Sequence, residues 1–113
     1  MSKRYVLSSA VITAPGLYAY SIADVETAKL FFSKPGWISC IGYAETAQAL
    51  SQIVGIEIPM NRVTAILEPS DMALIFRLVL PPGSPRLDPA KKGSYTVDYV
   101  IEHCEIGLLQ RIE

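Results

Sequence analysis

The chain has 113 residues, half of them hydrophobic and only 19% charged, with a net charge of −1. That length carries one domain with a modest core and excludes two. The near-neutral balance excludes a protein that coats long nucleic acid by neutralising phosphates, and the shortage of charge leaves apolar surface that a second copy of the chain would bury.

Tyr5-Val6-Leu7 reads as a strand ending at Ser8-Ser9. Residues 10–16 are less regular, and Pro15-Gly16 marks a turn. Leu17 to Tyr20 reads as a second strand, after which Ser21 caps a helix with Asp24 three positions on. Val25, Ala28 and Phe32 fall at helical spacing and are expected to face the sheet. Pro35-Gly36 stops this helix.

Trp37 to Ile41 is a short apolar run rich in β-formers; Gly42 follows, and helix-forming residues resume at Ala44. The second helix runs from about Ala44 to Val54, with Ala47, Leu50 and Val54 on its buried stripe and Gly55 as its C′ residue. Val63–Leu67 and Met72–Leu80 read as a hairpin joined by Glu68-Pro69-Ser70-Asp71, with Pro69 where a type I turn prefers it. Both faces of the longer strand are largely apolar, which predicts a central strand covered twice. Residues 81–93 break all periodicity and carry Arg86, Lys91 and Lys92 against a single Asp88. A short helix over 96–104 and a last strand over 107–112 complete the chain.

Strand, tight turn and helix start meet at Gly42-Tyr43-Ala44. The first amides of such a helix have no internal partner and face outward with the positive end of the dipole, so a phosphate could sit there. An ordinary strand-to-helix turn has the same spacing. Arg62 either holds a phosphate or is a salt-bridged structural arginine. His103, flanked by Glu102 and Glu105, has no nucleophile motif beside it and reads as a helix-end histidine. Neither GxGxxG nor GxxxxGK[ST] occurs, so no cofactor is expected. Cys40 and Cys104 lack CxxC spacing and accompany one histidine. No metal site is expected, and both read as reduced thiols of a cytoplasmic protein. No apolar run reaches the roughly 18 residues of a membrane span, and no signal-peptide h-region follows Met1-Ser2-Lys3-Arg4. From the residues alone, the chain is a soluble α/β domain with one candidate anion site.

Four segments in order carry a resemblance: residues 5–13, Ser39-Cys40-Ile41-Gly42-Tyr43-Ala44-Glu45-Thr46, Gly55 to Arg62, and Gly107 to Glu113. Together they resemble the family of small viral, plasmid and bacterial proteins that includes the type III anti-CRISPR ring nuclease. The most specific matches are Ser-x-Ile-Gly-x-x-x-Thr and Pro-x-Asn-Arg. The resemblance implies an α/β fold, a mixed, mainly five-stranded sheet flanked by helices in a single domain. It further implies a homodimer whose cleft holds a cyclic oligoadenylate. Active members cut that messenger without a metal, a histidine after the Ile-Gly pair acting as general acid.

Here Tyr43 stands at the histidine position, and an unperturbed tyrosine, with a pKa of about 10, is a weak donor near neutrality. Val79 and Pro82 stand where the family carries Arg and Glu, and Val11 where active members carry Ser. The resemblance therefore implies a member that binds and sequesters a cyclic nucleotide with little or no cleavage. Ser8, Ser9 and the backbone of Gly42 to Ala44 would hold phosphates or ribose, within a site that also takes in Val11, Ile41, Thr46 and Val79. Tyr43 would stack on a base or donate a hydrogen bond. Arg86, Lys91 and Lys92 would close over the ligand, the other reading of that loop being a solvated connector. Two alternatives stand beside this: an active ring nuclease with a site rebuilt around Tyr43 or His103, and a protein-interaction module without nucleotide binding. None involves long nucleic acid or a membrane.

Overall fold

The computed structural model of the protein describes residues 3–8, 14–79 and 97–113. Its elements in chain order are β1 (Arg4–Leu7), β2 (Tyr18–Ile22), α1 (Val25–Ser33), β3 (Trp37–Ser39), α2 (Ala44–Val54), β4 (Met72–Leu78), α3 (Val97–Glu102) and β5 (Cys104–Arg111). They form the expected mixed, five-stranded sheet in the order β2-β5-β4-β1-β3. β1 runs parallel to both β3 and β4, while β5 runs antiparallel to β4 and β2.

The apolar run of β4 makes it the middle strand, and Ala73, Leu74, Ile75 and Phe76 are all fully buried. Alternation divides them between the faces. Leu74 and Phe76 join Val6 and Ile106 beneath the three helices, where Phe31, Phe32, Ala47, Leu50 and Val100 belong to the same, larger cluster. Ala73 and Ile75 join Tyr5, Leu7 and Leu109 on the opposite face. That face is covered by the extended segment carrying Ala65 and Leu67, so among the described residues the helices all lie on one side of the sheet. Arg111 ties this segment down, its guanidinium donating to the carbonyls of Leu67 at 2.6 Å and Pro15 at 2.8 Å.

The expected hairpin does not form. Residues 63–67 make no strand, because β4 already pairs with β1 along one edge and β5 along the other. The turn itself is present, with the Asp71 amide donating to the Glu68 carbonyl at 2.9 Å. Ser70 has φ 79°, which fits a type II turn rather than the expected type I. Asp71 is buried and accepts from the amides of Lys3 and Glu68 at 2.7 and 2.9 Å, locking the turn against β1.

The first helix also begins later than expected. Ser21 lies inside β2 opposite Leu108, and Asp24 is the N-cap, its carboxylate accepting from the Thr27 amide at 2.8 Å. This start turns Val25 toward solvent and buries Phe31 beside Ala28 and Phe32. The other end of α1 is held by Arg4, which donates to the carbonyls of Phe31, Lys34 and Pro35. α2 follows its expected span, with Ala47, Leu50 and Val54 buried and Gly55 in the left-handed conformation at φ 80°. The last strand starts at Cys104, inside the expected helix.

Hydrogen bonding from Thr27 holds the Asp24 carboxyl below its ordinary pKa. The stabilisation this implies is present above the unfolded-state value and is lost as pH falls through the lowered folded value. Asp24→Ala is expected to lower Tm at neutral pH, with the two proteins converging in acid. Thermal melts at a series of pH values check this, and a constant gap down to strongly acidic pH would contradict it.

Candidate functional site

Because β1, β3 and β4 are mutually parallel, their carboxyl ends share one edge of the sheet. From β1 the chain passes to β2 at the far edge of the sheet, α1 leads back to β3 at the other edge, and α2 then leads to β4. Open α/β sheets bind ligands in the crevice outside the carboxyl ends of parallel strands. At this edge lie Ser8, directly after β1, the turn from Cys40 to Tyr43, after β3, and Val79, directly after β4.

The turn is built by a second segment laid against it. The Ser39 hydroxyl donates to the Pro59 carbonyl at 2.6 Å. The Asn61 side chain donates to the Ser39 carbonyl and its amide to the Ile41 carbonyl, each at 2.8 Å. These bonds aim Arg62 across the turn, where its Nε donates to the Gly42 carbonyl at 2.7 Å. A Cβ on Gly42 would lie 3.3 Å from Arg62 Cγ, so this glycine serves close approach. The guanidinium sits 5.5 Å from the centre of the Tyr43 ring, a cation–π distance. Arg62 is an exposed residue, and among the described residues no carboxylate pairs with it.

Tyr43 is the N-cap of α2 in extended conformation, and no side chain caps the helix. The amides that open α2 therefore face the same edge as Arg62, with the positive end of the helix dipole behind them. Glu45 in the first turn is the opposing charge. Ala44 is exposed, and Ser8, Gly42, Tyr43 and Thr46 are half-buried. Ile41 is fully buried within the helix-side core, and its carbonyl is taken by Asn61, so its part is to support the turn. Val79 is 41% exposed, and its amide donates to the His103 carbonyl. Ser9, Val11, Pro82, Arg86, Lys91 and Lys92, with the whole loop over 81–93, lie outside the described residues.

His103 is stacked on Tyr99 with ring centres 4.2 Å apart, and its Nδ1 lies 3.0 Å from the Tyr99 carbonyl. It is thus fixed to the end of α3, at the same sheet edge as Val79. Cys40 and Cys104 are free thiols, and burial raises the pKa of both, so neither has the character of a nucleophile. No group of residues able to hold a metal occurs among the described residues, nor does a helix long and apolar enough to cross a membrane.

A polar row lies on the sheet face away from the helices, near the same edge. Arg77 of β4 is paired in register with Glu105 of β5, donating from Nε at 2.8 Å and from Nη2 at 2.7 Å to a single oxygen, Oε1. The Tyr20 hydroxyl donates to that oxygen at 3.1 Å. The ring of Tyr20 crosses Gly107, where any Cβ would meet it at 2.3–2.6 Å. Neither this row nor the bond from Arg62 to Gly42 is foreseen in the sequence reading. The available signal was one cation in an otherwise apolar strand, with one acid early in its antiparallel partner.

Three comparisons place the chain. The model of the STIV B116-like family matches residues 4–82. "Uncharacterized protein 26" of Sulfolobus islandicus filamentous virus (isolate Iceland/Hveragerdi) is 35% identical over 74 residues, covering 62% of this chain and 63% of that protein. The chain therefore spans somewhat under two thirds of that relative's length. The solved structure of B116 of Sulfolobus turreted icosahedral virus superposes with a TM-score of 0.70 at 17% identity, over 97% of this chain and 100% of that one. At that identity the likeness supports the shared fold alone, and it extends beyond residue 82, where the family match ends. Both relatives are virus proteins, and this chain belongs to the STIV B116-like family.

Proposed function

We propose that this protein binds and sequesters a cyclic oligonucleotide second messenger of antiviral defence, cyclic tetra-adenylate or a related ring, with little or no cleavage. It does so as a homodimer in the cytoplasm of the host cell, as an immune-evasion protein related to the anti-CRISPR ring nucleases that its motifs resemble. The observation that carries this reading is the start of α2. It has no side-chain cap, it lies beyond the carboxyl ends of parallel strands, and an exposed guanidinium lies across it. Amides and guanidinium together suit a phosphodiester, and the Tyr43 face suits a base. Met60, Val63 and Ile66 are exposed on the segment that carries Arg62, which supports a second copy covering that surface.

Holding a ring and cutting it are separable, because cleavage requires interactions that strengthen only in the transition state. The turn offers no imidazole, and loss of a general acid typically costs about 10²–10⁴-fold in rate. Incubation with cyclic tetra-adenylate, followed by equilibrium dialysis and chromatography, tests the proposal. The expected result is retention of a ring recovered intact. Rapid appearance of linear products overturns sequestration. Failure to retain any cyclic di-, tri- or tetranucleotide overturns nucleotide binding and leaves the protein-interaction module.

One observation favours a rebuilt nuclease as the second reading. The Tyr99 carbonyl at His103 Nδ1 favours the tautomer that leaves Nε2 as an acceptor. On that reading His103→Ala abolishes linear products that the unaltered protein makes.

A further inference from the structure

We propose that Arg77 is a second phosphate-contacting residue of the same ligand site, with Glu105 and Tyr20 as its positioning residues. The inference rests on the nucleotide-binding reading above and extends its site along the sheet face away from the helices, from Arg62 toward β5.

Arg77 is the penultimate residue of β4, whose carboxyl end shares an edge with the start of α2. In the order β4-β1-β3 the two sites stand two strands apart, about 10 Å. Alternation puts Arg77 on the face opposite the helices, together with Ala73 and Ile75. The segment that carries Arg62 covers this same face through Ala65 and Leu67. A ring of several nucleotides with one phosphate at Arg62 therefore has another within reach of Arg77.

Arg77 is held in place by its neighbours on β5 and β2. Its side chain is 43% exposed, which a simple strand brace does not require. Glu105 engages Nε and Nη2 through one oxygen only. That same oxygen also accepts from Tyr20, whose ring is admitted by the missing Cβ of Gly107. Hydrogen bonding to Glu105 raises the Arg77 pKa, and burial and the Glu105 bond raise that of Tyr20, so the guanidinium and the phenol both keep their protons. A guanidinium fixed beforehand loses little rotamer freedom when it meets a phosphate. Glu105 then sets its strength: it orients the cation and offsets part of the charge.

The two partners should therefore act in opposite directions on an anionic ligand. Titrations of cyclic tetra-adenylate at several salt concentrations, on Arg77→Gln, Glu105→Gln, Arg62→Gln and the unaltered dimer, test this. Arg77→Gln is expected to weaken binding about tenfold, and to flatten the dependence of log Kd on log salt by about 0.7. Glu105→Gln is expected to tighten it severalfold. Lys29→Gln on the outer face of α1 controls for net charge and leaves affinity unchanged. If Arg77 only braces β4 against β5, Arg77→Gln and Glu105→Gln both lower Tm and neither moves affinity or salt slope. That result, with Arg62→Gln still weakened, overturns the Arg77 assignment while nucleotide binding stands. No binding by the unaltered protein overturns both.

Discussion

Arg62→Gln is expected to weaken binding of cyclic tetra-adenylate by about 10–100-fold, the span of a charge-assisted phosphate contact. The expectation follows from how the side chain is used. Its Nε is committed to the Gly42 carbonyl, which fixes the direction of the group, and the guanidinium lies over the ring of Tyr43, the N-cap of α2. Glutamine removes the charge and leaves the Asn61 bonds that hold the segment in place. Stability should therefore change little, and the loss should appear in affinity. Isothermal titration of matched preparations measures it. An unchanged affinity would make Arg62 a packing residue for the glycine turn and remove the main support for the site.

The largest effect on stability is expected at Phe76. This side chain is fully buried in the middle strand and belongs to the cluster that includes Phe31, Val100 and Ile106. Phe76→Ala leaves a cavity that strands paired on both edges cannot close, and such truncations cost about 3–5 kcal/mol. Domains of this kind have a total stability of only about 5–15 kcal/mol. The variant should lose a large part of its denaturation midpoint in urea, or fail to accumulate folded. A loss under about 1 kcal/mol would mean that the helix-side core relaxes far more freely than close packing permits.

α2 was legible in the sequence because its signals are local: one apolar stripe, ended by a glycine in the left-handed region. β4 was legible as the central strand because both of its faces are apolar over most of its seven residues. The failures came where a local pattern fits two outcomes that only tertiary pairing separates. Residues 63–67 alternate like a strand, yet both edges of β4 are already taken, so the segment becomes the cover for the second face. Ser21 and Asp24 are each competent N-caps. The pairing of Ser21 with Leu108 extends β2 and hands the cap to Asp24.

The candidate site divides in the same way. Gly42-Tyr43-Ala44 could be found from strand–turn–helix chemistry alone, since it needs no partner distant in sequence. The role of Arg62 could not be, because it depends on Asn61 and Ser39 bringing two segments together across some 20 positions. Arg77, Glu105 and Tyr20 meet across three strands, and only the register shows that Gly107 opens room for the phenol. Tyr43 was expected to be open for stacking, and its ring is shared with the Arg62 guanidinium. A base that stacks there does so beside a cation already in contact with the phenol.

Calorimetric titration of the purified protein with cyclic tetra-adenylate, read for heat and for stoichiometry, decides whether two chains hold one ring. Saturable binding at one ring for each pair of chains is expected, with the ring intact at the end of the titration. No heat at any concentration, or a monomer that takes up no ring, would contradict it.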